Sequence, residues 1–143
     1  MAEAPKLDQV NLIVSNMAAS VDFYRRLGVP IQDIDPEWNA WESHHRSAEL
    51  GGGIDLDLDS EVFVKRWNQG WSAGRAVIGF KVGSRQEVDQ VYEDLVGAGH
   101  RGQQSPYDAF WGARYAVIED PDGNAVGIMS PIDPEQRSDI DFP

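Results

Sequence analysis

The chain has 143 residues and a formal net charge of -12, with 24 acidic side chains against 12 basic ones and no cysteine. That length suits one domain, and 41% hydrophobic residues are enough for its core. The acidic balance argues against nucleic acid and against anionic membranes while permitting a cationic ligand, and the missing cysteines exclude disulfides, thiolate metal sites and cysteine nucleophiles. The opening MAEAPKLDQV has neither a basic region nor an apolar signal core, and no apolar run approaches the roughly 20 residues that span a bilayer. A cytoplasmic protein is the expectation.

Residues 1–6 read as a frayed end. LDQVNLIV, from Leu7 to Val14, reads as a strand whose last residues are buried on both faces. Ser15 and Asn16 can cap a helix from about Met17, with Val21, Tyr24 and Leu27 on its inner face and Gly28 as its stop. From Val29 to Leu58 the pattern is β-rich. Val29 to Ile34 is expected as a short strand ended by Pro36, and Ser47 to Leu50 as another. Ile54, Leu56 and Leu58 then alternate with Asp55, Asp57 and Asp59, which makes one apolar and one acidic face. If the acidic face lines a cavity, its carboxylates can hold a cationic group; if it faces water, they are a solvated edge.

Residues 60–70 suggest a short helix, and 70–74 a loop holding Trp71. A second cycle begins with the strand RAVIGFKV. Ser84 and Glu87 form an S-x-x-E capping box, and Val88, Val91, Tyr92, Leu95 and Val96 follow at the spacing of one helical face. A short strand or loop from His100 to Pro106 leads to a hairpin between Ala113 and Met129. Its turn is Asp120-Pro121-Asp122-Gly123-Asn124. This hairpin gathers Phe110, Trp111 and Tyr115 beside Tyr107, either as core or as one wall of a ligand cavity. Residues 131–143 read as a loosely held tail. The two parts, 7–58 and 75–130, repeat in organisation around a crossover at 59–74, which implies that they pack together.

Three segments carry a family resemblance. LIVSNMAASVDFYRRLG, GFKVGSRQEVDQVYEDLVGAG and WGARYAVIEDPDGNAVGIM, in this order and spacing, resemble the vicinal oxygen chelate superfamily of glyoxalase I, extradiol dioxygenases and bleomycin-resistance binding proteins. The resemblance implies an α+β fold of two βαβββ modules forming a cup-shaped mixed sheet. It also implies a cavity inside the cup, often completed by a second subunit, so a homodimer is expected. The family's metalloenzymes take ligands from four strand positions, which fall here on Gln9, on Asp55 or Asp57, on Val77 and on Gly127. Valine and glycine cannot ligate, so the resemblance implies a member without the family's metal centre. The alternative is a degenerate divalent-metal site through Gln9 and Asp55 or Asp57, in a glyoxalase-like lyase, isomerase or dioxygenase.

The five tryptophans exceed what a core of this size needs. An aromatic-walled cavity for a flat or cationic organic ligand would use them. The expected ligand-binding residues are Trp38, Trp41, His44, Asp55, Asp57, Trp71, Tyr107, Phe110, Trp111 and Tyr115. His44 and His45 are adjacent, so on a strand they point to opposite faces and only one can line the cup. Neither a nucleophile elbow nor a dinucleotide-type glycine loop is present. The function expected is metal-independent binding of a bulky aromatic or cationic small molecule such as an antibiotic.

Overall fold

In the computed structural model, residues 3–140 are described. Seven strands form one mixed sheet in the order β2-β3-β1-β4-β7-β6-β5. The strands are β1 (Lys6–Val14), β2 (His45–Glu49), β3 (Asp55–Ser60), β4 (Ala76–Lys81), β5 (Gly102–Asp108), β6 (Arg114–Glu119) and β7 (Ala125–Met129), and the helices are α1 (Met17–Leu27), α2 (Glu61–Trp67) and α3 (Arg85–Gly97). Each half starts with a strand paired in parallel to the half's last strand: β1 with β3, and β4 with β7. The halves then join edge to edge through an antiparallel β1–β4 pair. No described helix is long and apolar enough to cross a membrane.

Local chemistry accounts for most element ends. The Asn16 side chain accepts a hydrogen bond from the Ala19 amide at the start of α1, and Gly28 closes that helix in the left-handed region at φ 103°. Ser84 caps α3 by accepting from the Glu87 amide, and Glu87 reaches back to the Gly83 amide. In the β6–β7 turn, Asp120 accepts from the amides of Asp122 and Asn124 and from the Asn124 side chain.

Three expectations need correction. Val29 to Ile34 is not a strand. Pro30 has no amide to donate, and arginine side chains take the carbonyls that a neighbouring strand would use: Arg25 donates to the Ile31 carbonyl and Arg46 to that of Gln32. Only one ladder-like bond, Gln32 N–H to the Ser47 carbonyl, ties this loop to β2. A 3-10 helix, Pro36–Trp41, follows it. The first half therefore has three strands and the second has four. Leu27 does not join the inner face of α1 but stands 70% exposed; Met17, Val21 and Tyr24 make the contact. The tail is docked rather than loose as far as residue 140. The Asp133 amide donates to the Gly112 carbonyl, the Ser138 amide to the Phe110 carbonyl, and Ile140 packs on the core. Residues 1–2 and 141–143, parts of the expected frayed end and tail, lie outside the described residues.

Both faces of the sheet are covered, but differently. On the outer face α1 packs over Ala48 and Leu58, and α3 over Ala116 and Ile128. On the inner face α2 drives Phe63, Val64 and Trp67 against Ile13, Val77, Val117, Ala125 and Met129. The second half's inner face is thereby converted into core. Part of the first half's inner face stays open, and there the polar residues collect. Leu58, wholly buried between the sheet and α1, tests this packing. Leu58→Ala is expected to lower unfolding free energy by about 3 kcal/mol in urea titrations with an unchanged slope.

Candidate functional site

The open region is a cavity of about 450 Å³. Its floor consists of alternate residues on three neighbouring strands: Gln9 and Asn11 from β1, Asp57 and Asp59 from β3, His45 and Ser47 from β2. Strand parity puts each pair on one face, and register lines them up, since Asn11 pairs with Asp57, Ser47 with Asp57, and His45 with Asp59. Trp38 and Trp41 form one side wall, with ring centroids 4.6 Å apart. Phe110, Trp111 and Tyr115 form another, and Phe63 and Trp67 also line the cavity. Trp41 meets Phe110 edge-on at 5.1 Å, so the two walls touch. Ile132 and Arg137 of the docked tail also line the cavity.

The floor is one hydrogen-bonded network. Gln9 Nε2 donates to Asn11 Oδ1 at 3.0 Å, and Asn11 Nδ2 donates to Asp59 Oδ2 at 2.9 Å. His45 Nδ1 lies 2.6 Å from Asp59 Oδ1, and Ser47 Oγ donates to Asp57 Oδ1 at 2.7 Å. Burial works against a charged imidazole at His45, but Asp59, by charge and hydrogen bond, and Asp57, by charge, outweigh it and raise the pKa from 6.5 to about 9. His45 is therefore an imidazolium at neutral pH, with Nδ1–H donating to Asp59. Burial raises the Asp57 carboxyl to about 6, helped by Asp59 and Asp55 and opposed by His45 and Ser47. Burial also holds the Tyr115 phenol neutral, reinforced by Tyr107, Asp59 and Asp57.

The structure brings Trp38, Trp41, Asp57, Phe110, Trp111 and Tyr115 of the expected residues to this cavity. It does not bring the other four. His44 is one residue out of phase: Nδ1 sits 2.9 Å from Ser60 Oγ, and it is His45 that faces the cavity. Asp55 lies on the same strand face as Asp57 but toward Asp8, Glu49 and Lys81. Trp71 is held between the cations of Lys65 and Arg75. The Tyr107 hydroxyl donates to the Trp67 carbonyl, and its ring backs Trp111 and Tyr115. Asn11 and Asp59 lie two residues along from Gln9 and Asp57, the positions the resemblance implies, and were within reach of alternation. Phe63 and Trp67 were not, because only tertiary packing turns α2 into the cup.

The four metal-ligand positions implied by the family resemblance fall in two rows across the central strands. One row runs Asp55, Gln9, Gly79, Gly127; the next runs Asp57, Asn11, Val77, Ala125. Either row offers donors from the first half and none from the second. Among the described residues no group of three His, Cys, Asp or Glu side chains is placed to hold a metal ion. This donor set does not fit a divalent ion that needs three protein ligands. The room left by Gly127 is not open to a ligand. Tyr115 fills it, and a Cβ at 127 would stand 2.6 Å from the Tyr115 hydroxyl.

The chain matches the Glyoxalase/Bleomycin resistance protein/Dioxygenase superfamily over residues 6–128, and it belongs to that superfamily. It is 30% identical over 129 residues to "Uncharacterized protein YraH" of Bacillus subtilis (strain 168), covering 86% of this chain and 96% of that one. The crystal structure of NAD-dependent benzaldehyde dehydrogenase from Legionella pneumophila aligns with a TM-score of 0.65 at 20% identity, over 85% of this chain and 96% of that one. The Mn(II)-bound glyoxalase from Novosphingobium aromaticivorans aligns with a TM-score of 0.62 at 17% identity, over 99% of this chain and 44% of that one. These likenesses show the fold alone. Neighbours with such different names share it, so chemistry must be argued from side chains.

The charge state of His45 is open to measurement. Its folded pKa lies above its ordinary value, so the protonated ring favours the folded state; that stability is complete below pH 6.5 and lost as pH rises through about 9. A proton NMR titration is expected to place the His45 midpoint near 9, and the thermal midpoint is expected to fall between pH 7 and roughly 9.5. A His45 midpoint near 6.5 would contradict the pairing with Asp59.

Proposed function

We propose that the protein is a metal-independent small-molecule-binding member of its superfamily that sequesters or carries a bulky, flat organic compound, aromatic or cationic, such as an antibiotic. The observation that carries this reading is the convergence of two tryptophan-bearing segments, Trp38 with Trp41 and Phe110 with Trp111, on one cavity over a polar floor. A volume of about 450 Å³ lies within the range typical of sites for drug-sized molecules. Planar rings on both walls favour a planar guest, through stacking and edge contacts. The lack of metal donors from β4 and β7 supports binding without a metal, and the floor offers acceptors and donors that fix a guest's orientation.

Titration with a panel of planar aromatic and basic compounds is expected to quench tryptophan fluorescence at micromolar concentrations and to raise the thermal midpoint, with no change on adding a chelator. Trp38→Ala and Trp111→Ala are expected to weaken binding roughly tenfold each while the fold persists. Trp67→Ala removes a side chain that is only 3% exposed and is expected to cost about 3–5 kcal/mol of stability instead. Binding or turnover that disappears with the chelator and returns with zinc, nickel, manganese or iron would replace this reading with a metal-dependent lyase, isomerase or dioxygenase.

A further inference from the structure

An aromatic wall accepts neutral, cationic and anionic guests of the same shape, and the floor discriminates among them. Three of the four carboxylate oxygens of Asp57 and Asp59 are already engaged. Asp59 Oδ1 receives His45, Asp59 Oδ2 receives Asn11, and Asp57 Oδ1 receives the Ser47 hydroxyl. The fourth, Asp57 Oδ2, has no hydrogen-bond partner among the described residues, and Asp57 lines the cavity. Charge is distributed in the same unequal way. Asp59 has its own counterion in His45, 2.6 Å away. Asp57 is answered by a neutral hydroxyl, and Asn11, its register partner on β1, is neutral as well.

The other groups around Asp57 do not supply the missing cation. On its own strand stand Asp55 and Asp59, both acidic. On β2, His45 is the one cation acting on it, and that ring is committed to Asp59. On β6, Tyr115 is a neutral phenol. Arg46 donates to the Gln32 carbonyl, and Arg137 comes from the docked tail and is not among the groups whose charge acts on Asp57. Across the cavity lining as a whole, Asp33, Asp35, Asp57 and Asp59 face only two arginines and His45. Asp57 is thus a buried carboxylate with one unused lone-pair edge and no counterion of its own. Such a group is costly unless something positive reaches it.

We propose that the ligand of this cup carries a cationic nitrogen that donates a hydrogen bond to Asp57 Oδ2, while its flat apolar body lies between Trp38 and Trp111. This deepens the binding reading and rests on it. A protonated amine or amidine joined to an aromatic ring by one or two atoms is the class that fits: the charge sits on the floor and the ring in the walls. A carboxylate-bearing guest is excluded from the floor by Asp57. The raised pKa of Asp57 agrees with this arrangement: burial disfavours its charge, and below about pH 6 a proton takes that charge up when no organic cation is present. Proton and ligand therefore compete for one oxygen, and cation binding weakens as pH falls through about 6.

The test compares 2-naphthylmethylamine with 2-naphthylmethanol, which share ring and reach but differ in charge, by calorimetric titration of the full chain. At pH 7.5 the amine is expected to bind at least about tenfold more tightly than the alcohol, and at pH 5 this preference is expected to shrink severalfold. Asp57→Asn is expected to erase the preference at pH 7.5. Equal affinities for amine and alcohol in the unmodified protein would overturn the cation site while leaving an aromatic-binding cup. Failure of both compounds to bind would overturn the cup reading and the cation site together. A preference that survives in Asp57→Asn would overturn the assignment to this carboxylate. Should that variant fail to fold, the amine-to-alcohol ratio of the unmodified protein and its pH dependence still decide.

Discussion

The antiparallel pairing of β1 with β4 determines what the rest of the molecule can do. It places the leading strands of the two halves side by side at the centre of one sheet, each flanked by its own parallel partner. Inner-face residues of four strands then fall into straight rows. In a symmetric arrangement each row would carry donors from both halves. Here the rows change character at the β1–β4 seam: amides and carboxylates on one side, valine, alanine and glycine on the other. Phe63, Val64 and Trp67 of α2 join that apolar side in one buried core. The fold's two-part design is kept in the parallel pairing of each half's first and last strands and abandoned in the side chains of these rows.

That asymmetry has an energetic logic. Buried apolar surface under α2 stabilises the domain at about 25 cal/mol per Å². The polar floor beside it contributes less, because carboxylates taken out of water must be matched by donors. The match is good for Asp59, which has His45 and Asn11, and incomplete for Asp57. Natural cores leave few such groups unmatched, and those left tend to sit where function needs them. A ligand cation completing the network would recover in binding what the free protein gives up in stability.

Much of the fold was legible because its determinants are local. The Asn16 and Ser84 caps, the Asp120 turn and the alternation from Ile54 to Asp59 each act within a few residues. The strand expected at Val29 to Ile34 had the right side chains but the wrong neighbours: Arg25 and Arg46, both distant from β-propensity, claim its carbonyls. The site was legible in parity and not in phase. The family resemblance points to Gln9 and to Asp55 or Asp57, and alternation from those positions also points to Asp59 and Asn11. Choosing between His44 and His45 requires knowing where β2 begins and which residue it pairs with, and that is a property of register. Trp71 and Tyr107 have the chemistry of wall residues, but Lys65, Arg75 and the Trp67 carbonyl hold them elsewhere. The surroundings of Gly127 are likewise a matter of register. Its missing side chain does leave a space, and its cross-strand neighbourhood supplies Tyr115 to fill it.

The most direct measurement is a crystal structure of the protein with 2-naphthylmethylamine. The account predicts the amine nitrogen about 3 Å from Asp57 Oδ2, the naphthyl ring between Trp38 and Trp111, and the His45–Asp59 pair undisturbed. An amine bound outside the cup, or a divalent ion on Gln9 and Asp57 in its place, would contradict it.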